Sequence, residues 1–348
     1  MATQVLSDIS AALSTYFDGE LQRQFNRTSV LCEALPKLPG GGKSVNWDAR
    51  LNRTTHAAAF TEGADVAAGE FNVDPTVPAV LPWGQYRVAF SLSGISVAAA
   101  ATSPGSAVEL LDQFQSNLED AASDLVSIIN SALYTGTGAN NQIAGLTGAG
   151  AVALTGTYAG ILRSTYSDWA ANVSANGGTA RNLTKGIIDT LEAAVYRSSG
   201  KTPRLIVTTP EVVTKYESLF ANEMRVQVDR GELSPIPNMP NVGAPFIPSN
   251  TGYTGLTYKG IPVLRDRDCP AGKLFFLNPD FVNIRVLPQA NLGTVSRSEN
   301  RQAPAGISVR VESLAKTGDA DKFQLVSYLQ LQVKRPNTCG VLADISES

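Results

Sequence analysis

The stretch that decides the fold is Ala107–Leu146, AVELLDQFQSNLEDAASDLVSIINSALYTGTGANNQIAGL. Leu111, Leu118, Leu125 and Ala132 recur every seventh residue, and Phe114, Ala121 and Ile128 fall between them. That spacing predicts one apolar stripe along a helix from about Ala107 to about Tyr134. At about 1.5 Å per residue such a helix is on the order of 40 Å long, more than a small domain needs. Thr102-Ser103-Pro104 supplies its start, and Gly136 and Gly138 its stop, since glycine most readily takes the left-handed turn that ends a helix. Every charge on the helix is acidic: Glu109, Asp112, Glu119, Asp120 and Asp124. No Lys or Arg occurs from Val88 to Leu162, so opposite charges three or four residues apart cannot support it.

Outward from this helix, the charge is unevenly divided. Residues 1–162 hold 7 Lys and Arg against 14 Asp and Glu, a net of −7; residues 163–348 hold 21 against 17, a net of +4, giving the whole-chain −3. An acidic front and a basic rear suit packing of one copy against the next. They do not suit a nucleic-acid grip, which needs a concentrated basic face. With 348 residues and 43% hydrophobic content the chain has ample core, and no apolar run is long enough to span a bilayer. The opening MATQVLSDISAALSTYF has no leading positive charge and does not read as a signal peptide. Cys32, Cys269 and Cys339 have no metal-ligand spacing and are expected to be buried or inert thiols.

Upstream, Val5, Ile9, Leu13, Phe17, Leu21 and Phe25 outline an amphipathic arm. Two strands follow, one presenting Val45, Trp47, Ala49 and Leu51 on one face, the other Tyr86, Val88, Phe90 and Leu92. The connection over 52–85 is long for a compact domain and contains Pro75, Pro78 and Pro82. It reads as a two-stranded flap that orders on a partner. Its acids Glu62, Asp65, Glu70 and Asp74 and its aromatics Phe60 and Trp83 are the candidate contacts with another subunit. Downstream of a loose Gly/Thr/Ala stretch the pattern turns α/β. A helix capped at Asn182 or Thr184 stops at Gly200, RLIVTT forms a buried strand, and Pro210 opens a second helix. YKGIPVLRDRD and KLFFLNPDFVNIRVLP read as strands, and KFQLVSYLQLQVKRP alternates over a long final run.

Candidate chemistry is sparse. His56 is the sole histidine and no G-x-S-x-G elbow exists, so no nucleophilic triad is expected. GGGKS at 40–44 lacks the first glycine of a phosphate-binding loop, with Lys37 in its place, and is followed by a strand, so it reads as a turn. Gly148-Ala149-Gly150 has no preceding strand to make it a dinucleotide fingerprint. Asp319 and Asp321 read as turn residues; Asp266 and Asp268, alternating with Arg265 and Arg267, read as a solvated strand end or subunit contact. No catalytic, cofactor-binding or metal residues are assigned.

The order of parts resembles the major capsid proteins of tailed double-stranded-DNA bacteriophages. Four segments carry the resemblance: ALYTGTGANNQIAGL (132–146), GKTPRLIVTTPEVVTKYESL (200–219), YKGIPVLRDRDCPAGKLFFLNPDF (258–281) and KFQLVSYLQLQVKRP (322–336). The resemblance implies an α+β fold with an N-terminal arm (1–44), an E-loop hairpin (45–95), a P-domain with a long spine helix (96–180), an A-domain (181–305) and a return to the P-domain (306–348). It makes Gly136 and Gly138 the expected hinge between domains. It further implies a non-enzymatic virion protein, assembled in the bacterial cytoplasm, whose copies form hexamers and pentamers of an icosahedral head. Such a head encloses dsDNA without sequence-specific binding, with separate scaffolding, portal and decoration proteins as possible partners and no membrane. The alternative on the same fold is an encapsulin-like shell that stores a cargo enzyme. Members that crosslink their shells use a flap lysine; residues 54–85 contain none, so no crosslink is expected.

Overall fold

A computed structural model describes residues 29–51, 61–63, 76–102, 104–148, 150–220, 256–288, 299–303, 307–315 and 318–347. The amphipathic arm over 5–25 and His56 lie outside them. In chain order the helices are α1 (Val30–Ala34), α2 (Gly94–Thr102), α3 (Pro104–Thr135), α4 (Lys185–Ser199) and α5 (Pro210–Phe220). The strands are β1 (Lys37–Pro39), β2 (Ser44–Arg50), β3 (Thr76–Pro82), β4 (Gly84–Ser93), β5 (Thr157–Tyr158), β6 (Ile161–Leu162), β7 (Asn172–Ser174) and β8 (Leu205–Thr208). They continue with β9 (Thr257–Tyr258), β10 (Ile261–Arg265), β11 (Leu274–Leu277), β12 (Val282–Val286), β13 (Glu299–Ala303), β14 (Ile307–Ser313), β15 (Ala320–Val333) and β16 (Gly340–Leu342).

The expected spine is α3, 32 residues long and about 48 Å from end to end. Pro104 is its first residue, where its fixed φ fits and its missing N–H costs nothing. Its buried stripe is Leu118, Ala121, Leu125, Ile129 and Leu133, with Val126 beside it. Ile128, assigned to the stripe by the heptad count, is 49% exposed. The stripe steps by three and then four, the 3.6-residue period of an ordinary helix packed on a sheet, and a strict seven-residue count drifts off it. Each buried Leu or Ile contributes roughly 1.5–3 kcal/mol, which makes packing, rather than surface charge pairs, the source of the helix's stability.

Two mixed sheets flank the spine. In the first, β15 lies at the centre: β12 and β14 pair along one side, with β1 and β13 beyond them, and β4 runs antiparallel along the other side from Ala320↔Ser93 to Leu329↔Gly84. The second has the order β7-β16-β11-β8-β10-β9. It forms an α/β lobe whose own cluster includes Ile188, Leu191 and Val195 of α4, Val212, Val213 and Tyr216 of α5, and Phe276. Here α4 begins and ends as its sequence dictates. The Thr184 hydroxyl oxygen accepts from the Ile187 N–H, and Gly200 closes the helix at φ 67°.

Three expectations change. The flap's return strand is β3, paired with β2 in the register Ser44↔Pro82 to Arg50↔Thr76, while the strand around Tyr86–Leu92 belongs to the central sheet. Pro78 and Pro82 are compatible with β3 because they share the parity of Val80, whose N–H points away from β2 to the Ala159 carbonyl at 2.9 Å. Boundaries drawn along the sequence also cut through the sheets. β1 of the expected arm and β12 of the expected A-domain pair in the central sheet, whereas β16, expected to return to the P-domain, sits between β7 and β11 in the lobe. The Gly/Thr/Ala stretch is ordered. Arg163, 3% exposed, donates to the carbonyls of Thr155 (2.9 Å), Gly150 (2.7 Å) and Ala151 (3.2 Å) and ties the loop together.

Candidate assembly surfaces and the spine joint

The flap is rooted in its own subunit. Val45, Ala49, Leu51, Ala79 and Leu81 are buried, and Trp47 meets Tyr158 and Trp169 at centroid distances of 6.5 and 6.4 Å. Trp83, expected to contact another subunit, is 7% exposed. Its indole N–H donates to the Gly42 carbonyl at 3.0 Å, and its ring so covers Gly40 that a Cβ there would sit 2.3 Å from Cζ3's neighbour Cη2. Trp83 is therefore an intramolecular anchor, and the GGGKS segment is the turn that accepts it. Glu62 is exposed, in the turn at 61–63. Phe60, Asp65, Glu70 and Asp74 lie outside the described residues.

On the spine, Glu119, Asp120 and Asp124 are exposed and lie on the face turned away from the buried stripe. The side chains of Glu109 and Asp112 lie outside the described residues. Toward its start the helix packs through Phe114 on Phe90 of β4 and Phe323 of β15, with centroids 5.6 and 5.1 Å apart.

The turn at Gly136–Gly138, the expected hinge, is held by a set of backbone hydrogen bonds. The Gly138 N–H donates to Ile143 O (3.0 Å), Gly145 to Gly136 O (2.8 Å), Leu146 to Leu133 O (2.8 Å) and Thr147 to Tyr134 O (2.9 Å). Gly138 has φ 73°, which suits glycine. Gly136 is required for a different reason: a Cβ would lie 2.2 Å from Ile143 O and 2.6 Å from Ala132 O.

The joint itself is built on Asp266, which has no solvent exposure, contrary to its reading as a solvated residue. It follows β10, in a turn closed by Cys269 N–H to its own carbonyl. Its Oδ2 accepts from Tyr134 OH (2.8 Å), Leu31 N–H (3.1 Å) and Asn130 Nδ2 (3.1 Å); its Oδ1 accepts from Asp268 N–H (2.9 Å) and Asn130 Nδ2 (3.2 Å). Asn130 also donates to Asp268 Oδ2 (2.9 Å), and its Oδ1 accepts from Cys32 N–H (3.0 Å). Burial raises the Asp266 carboxyl above the ordinary range, and the converging donors oppose that rise. Burial, and then the Asp266 charge, keep the Tyr134 hydroxyl protonated far beyond the ordinary phenol range. Sequence reasoning missed this node because its partners on the spine and α1 are 132 to 235 residues away. The one local signal was the placement of Asn130 and Tyr134 four residues apart near the end of an apolar stripe.

No cluster of metal-ligating side chains occurs among the described residues. Cys32, Cys269 and Cys339 are buried free thiols, as expected. Among the described residues no helix is long and apolar enough to cross a membrane.

A spine packed on a central sheet, a rooted flap and an α/β lobe together make the shell-protein fold of tailed-phage capsids. A chain of the cyanophage A-1(L) capsid asymmetric unit is 21% identical, with 97% of this chain and 98% of that chain covered, at a TM-score of 0.72. The SrpI encapsulin of Synechococcus elongatus PCC 7942 is 13% identical over 98% of this chain and 96% of that chain, at a TM-score of 0.58. The capsid of an empty GTA particle is 12% identical over 94% and 100%, at a TM-score of 0.54. The SU10 major capsid protein family matches residues 51–346, and the chain belongs to that family. No curated protein matches the sequence. The chain is a structural protein of the virion's capsid shell, self-assembling and not an enzyme.

Proposed function

We propose that copies of this chain assemble, in the host cytoplasm, as hexamers and pentamers of an icosahedral head that encloses a dsDNA genome. The family match over residues 51–346 carries this reading. Scaffolding, portal and decoration proteins would be separate chains. In this reading each flap reaches across a neighbour, with Glu62 and the segment holding Phe60, Asp65, Glu70 and Asp74 meeting the basic rear half of the next copy. The acidic spine face, with Glu119, Asp120 and Asp124 exposed, faces inward and repels phosphate, so that DNA is contained without being gripped. The encapsulin-like alternative has the weaker support, a TM-score of 0.58 against 0.72 and no family match.

Electron microscopy of particles from phage-producing cells tests the proposal. Closed polyhedral shells holding nuclease-protected dsDNA are expected; closed shells holding a protein cargo and no DNA would replace it with the encapsulin reading. For the spine, Glu119→Lys/Asp120→Lys/Asp124→Lys shells should retain more non-specific nucleic acid than the parent. Equal retention would place that face elsewhere.

A further inference from the structure

Three segments distant in sequence meet at Asp266: the α1 segment through Leu31 and Cys32, the last turns of α3 through Asn130 and Tyr134, and the turn after β10 through Asp266 and Asp268. Their hydrogen bonds are shared rather than parallel. The Asn130 amide accepts from the α1 segment with its oxygen and donates to the lobe's two carboxylates with its nitrogen. The Asp266 Oδ2 receives donors from α1 and α3 at once. Among the described residues no Lys or Arg forms an ion pair with Asp266, and its buried charge is met by these hydrogen-bond donors. A buried carboxylate that loses one donor loses much of what holds the others in place.

We infer that the α1 segment, the end of the spine and the turn at 266–269 open and close as one cooperative latch, so that freeing the chain's N-terminal segment also frees the α/β lobe from the spine. The Gly136–Thr147 turn belongs to the same unit, because the Leu133 and Tyr134 carbonyls that hold it lie on the spine turn that presents the Tyr134 hydroxyl. In a shell-forming subunit this gives the N-terminal segment control over the lobe's angle to the spine through the carboxylate they share at Asp266.

The test is hydrogen exchange, resolved to single amides, on the unassembled full-length chain carrying Tyr134→Phe. The substitution keeps the ring packed on Phe275, 5.9 Å away between centroids, and removes one donor to Asp266. Tyr134 donates neither to Cys32 nor to Asn130. If the latch is one unit, the Cys32 amide, bonded to Asn130, accelerates by the same factor as the Leu31 and Asp268 amides, about tenfold or more, while β8 amides are unchanged. Acceleration of Leu31 and Asp268 with Cys32 at its parental rate overturns the inference, as does no change at any of the three. Asn130→Ala is the second variant. It should raise exchange at Leu31 and Asp268 together, and a rise at one alone counts against the latch.

Discussion

Gly136→Ala separates a lock from a hinge at the end of the spine. A Cβ at this position would lie 2.2 Å from Ile143 O and 2.6 Å from Ala132 O, against an ordinary carbon–oxygen contact of about 3.3 Å. Both obstacles are backbone, so no rotamer change relieves them, and the turn must open by about 1 Å. That displacement would carry the Gly136 N–H bond to Ala132 O, the Gly138 bond to Ile143 O and the Gly145 bond to Gly136 O, now 2.8–3.0 Å, out of useful range. Three bonds at roughly 0.5–1.5 kcal/mol net each give a loss of about 2–4 kcal/mol. For the unassembled subunit of 348 residues this corresponds to a fall in Tm on the order of 3–5 °C, read by thermal unfolding. Gly186→Ala is the control. It lies in α4 with nothing within 4 Å, and it should be neutral or stabilising by about 0.4–1 kcal/mol. A Gly136→Ala subunit that melts within about 2 °C of the parent but fails to form shells would restore the hinge and refute the lock.

Trp83→Ala should destabilise the subunit by about 3–5 kcal/mol, because it empties a buried site and orphans the Gly42 carbonyl; chemical denaturation measures this, and a loss below 1 kcal/mol would contradict the anchor role. The thiols should resist modification in the native state at pH 8, because burial raises Cys32 and Cys339 from 9.0 to about 11. Reaction with a thiol reagent should appear only on unfolding. The same shift sets a sign for stability. These groups stay protonated in the native state while unfolded thiols ionise, so their contribution is complete below the unfolded value and falls as pH rises from about 9 towards 11. Denaturing gels of mature shells should show a single monomer band, since residues 54–85 contain no lysine; a ladder of covalent multimers would contradict this.

The spine, the capped helix before Gly200 and the buried strand β8 were legible in the sequence because local rules determine them: apolar period, N-cap, left-handed stop. The return strand β3 was not, because two prolines in seven residues argue against a strand until one knows which edge their nitrogens face. Trp83 looked like a contact residue because it lies in a long acidic loop, and only the turn at Gly40–Gly42 shows where its ring goes. Asp266 was misread for a related reason. Beside Arg265, Arg267 and Asp268 it looks like part of a solvated charge run, yet the turn after β10 leaves Arg265 and Arg267 exposed and Asp266 buried, among donors no local pattern could supply. The helix α2 was also missed, its alanine-rich run carrying little periodic signal.

The chain's three tryptophans, Trp47, Trp83 and Trp169, are all gathered around the base of the β2–β3 ribbon. The α/β lobe has none. Intrinsic indole emission from this protein is thus a local optical signal, sensitive to the seating of the ribbon and blind to the lobe. Far-ultraviolet circular dichroism, by contrast, sees both. Recording the two together during shell assembly or unfolding distinguishes movement of the ribbon from melting of the lobe without an added label.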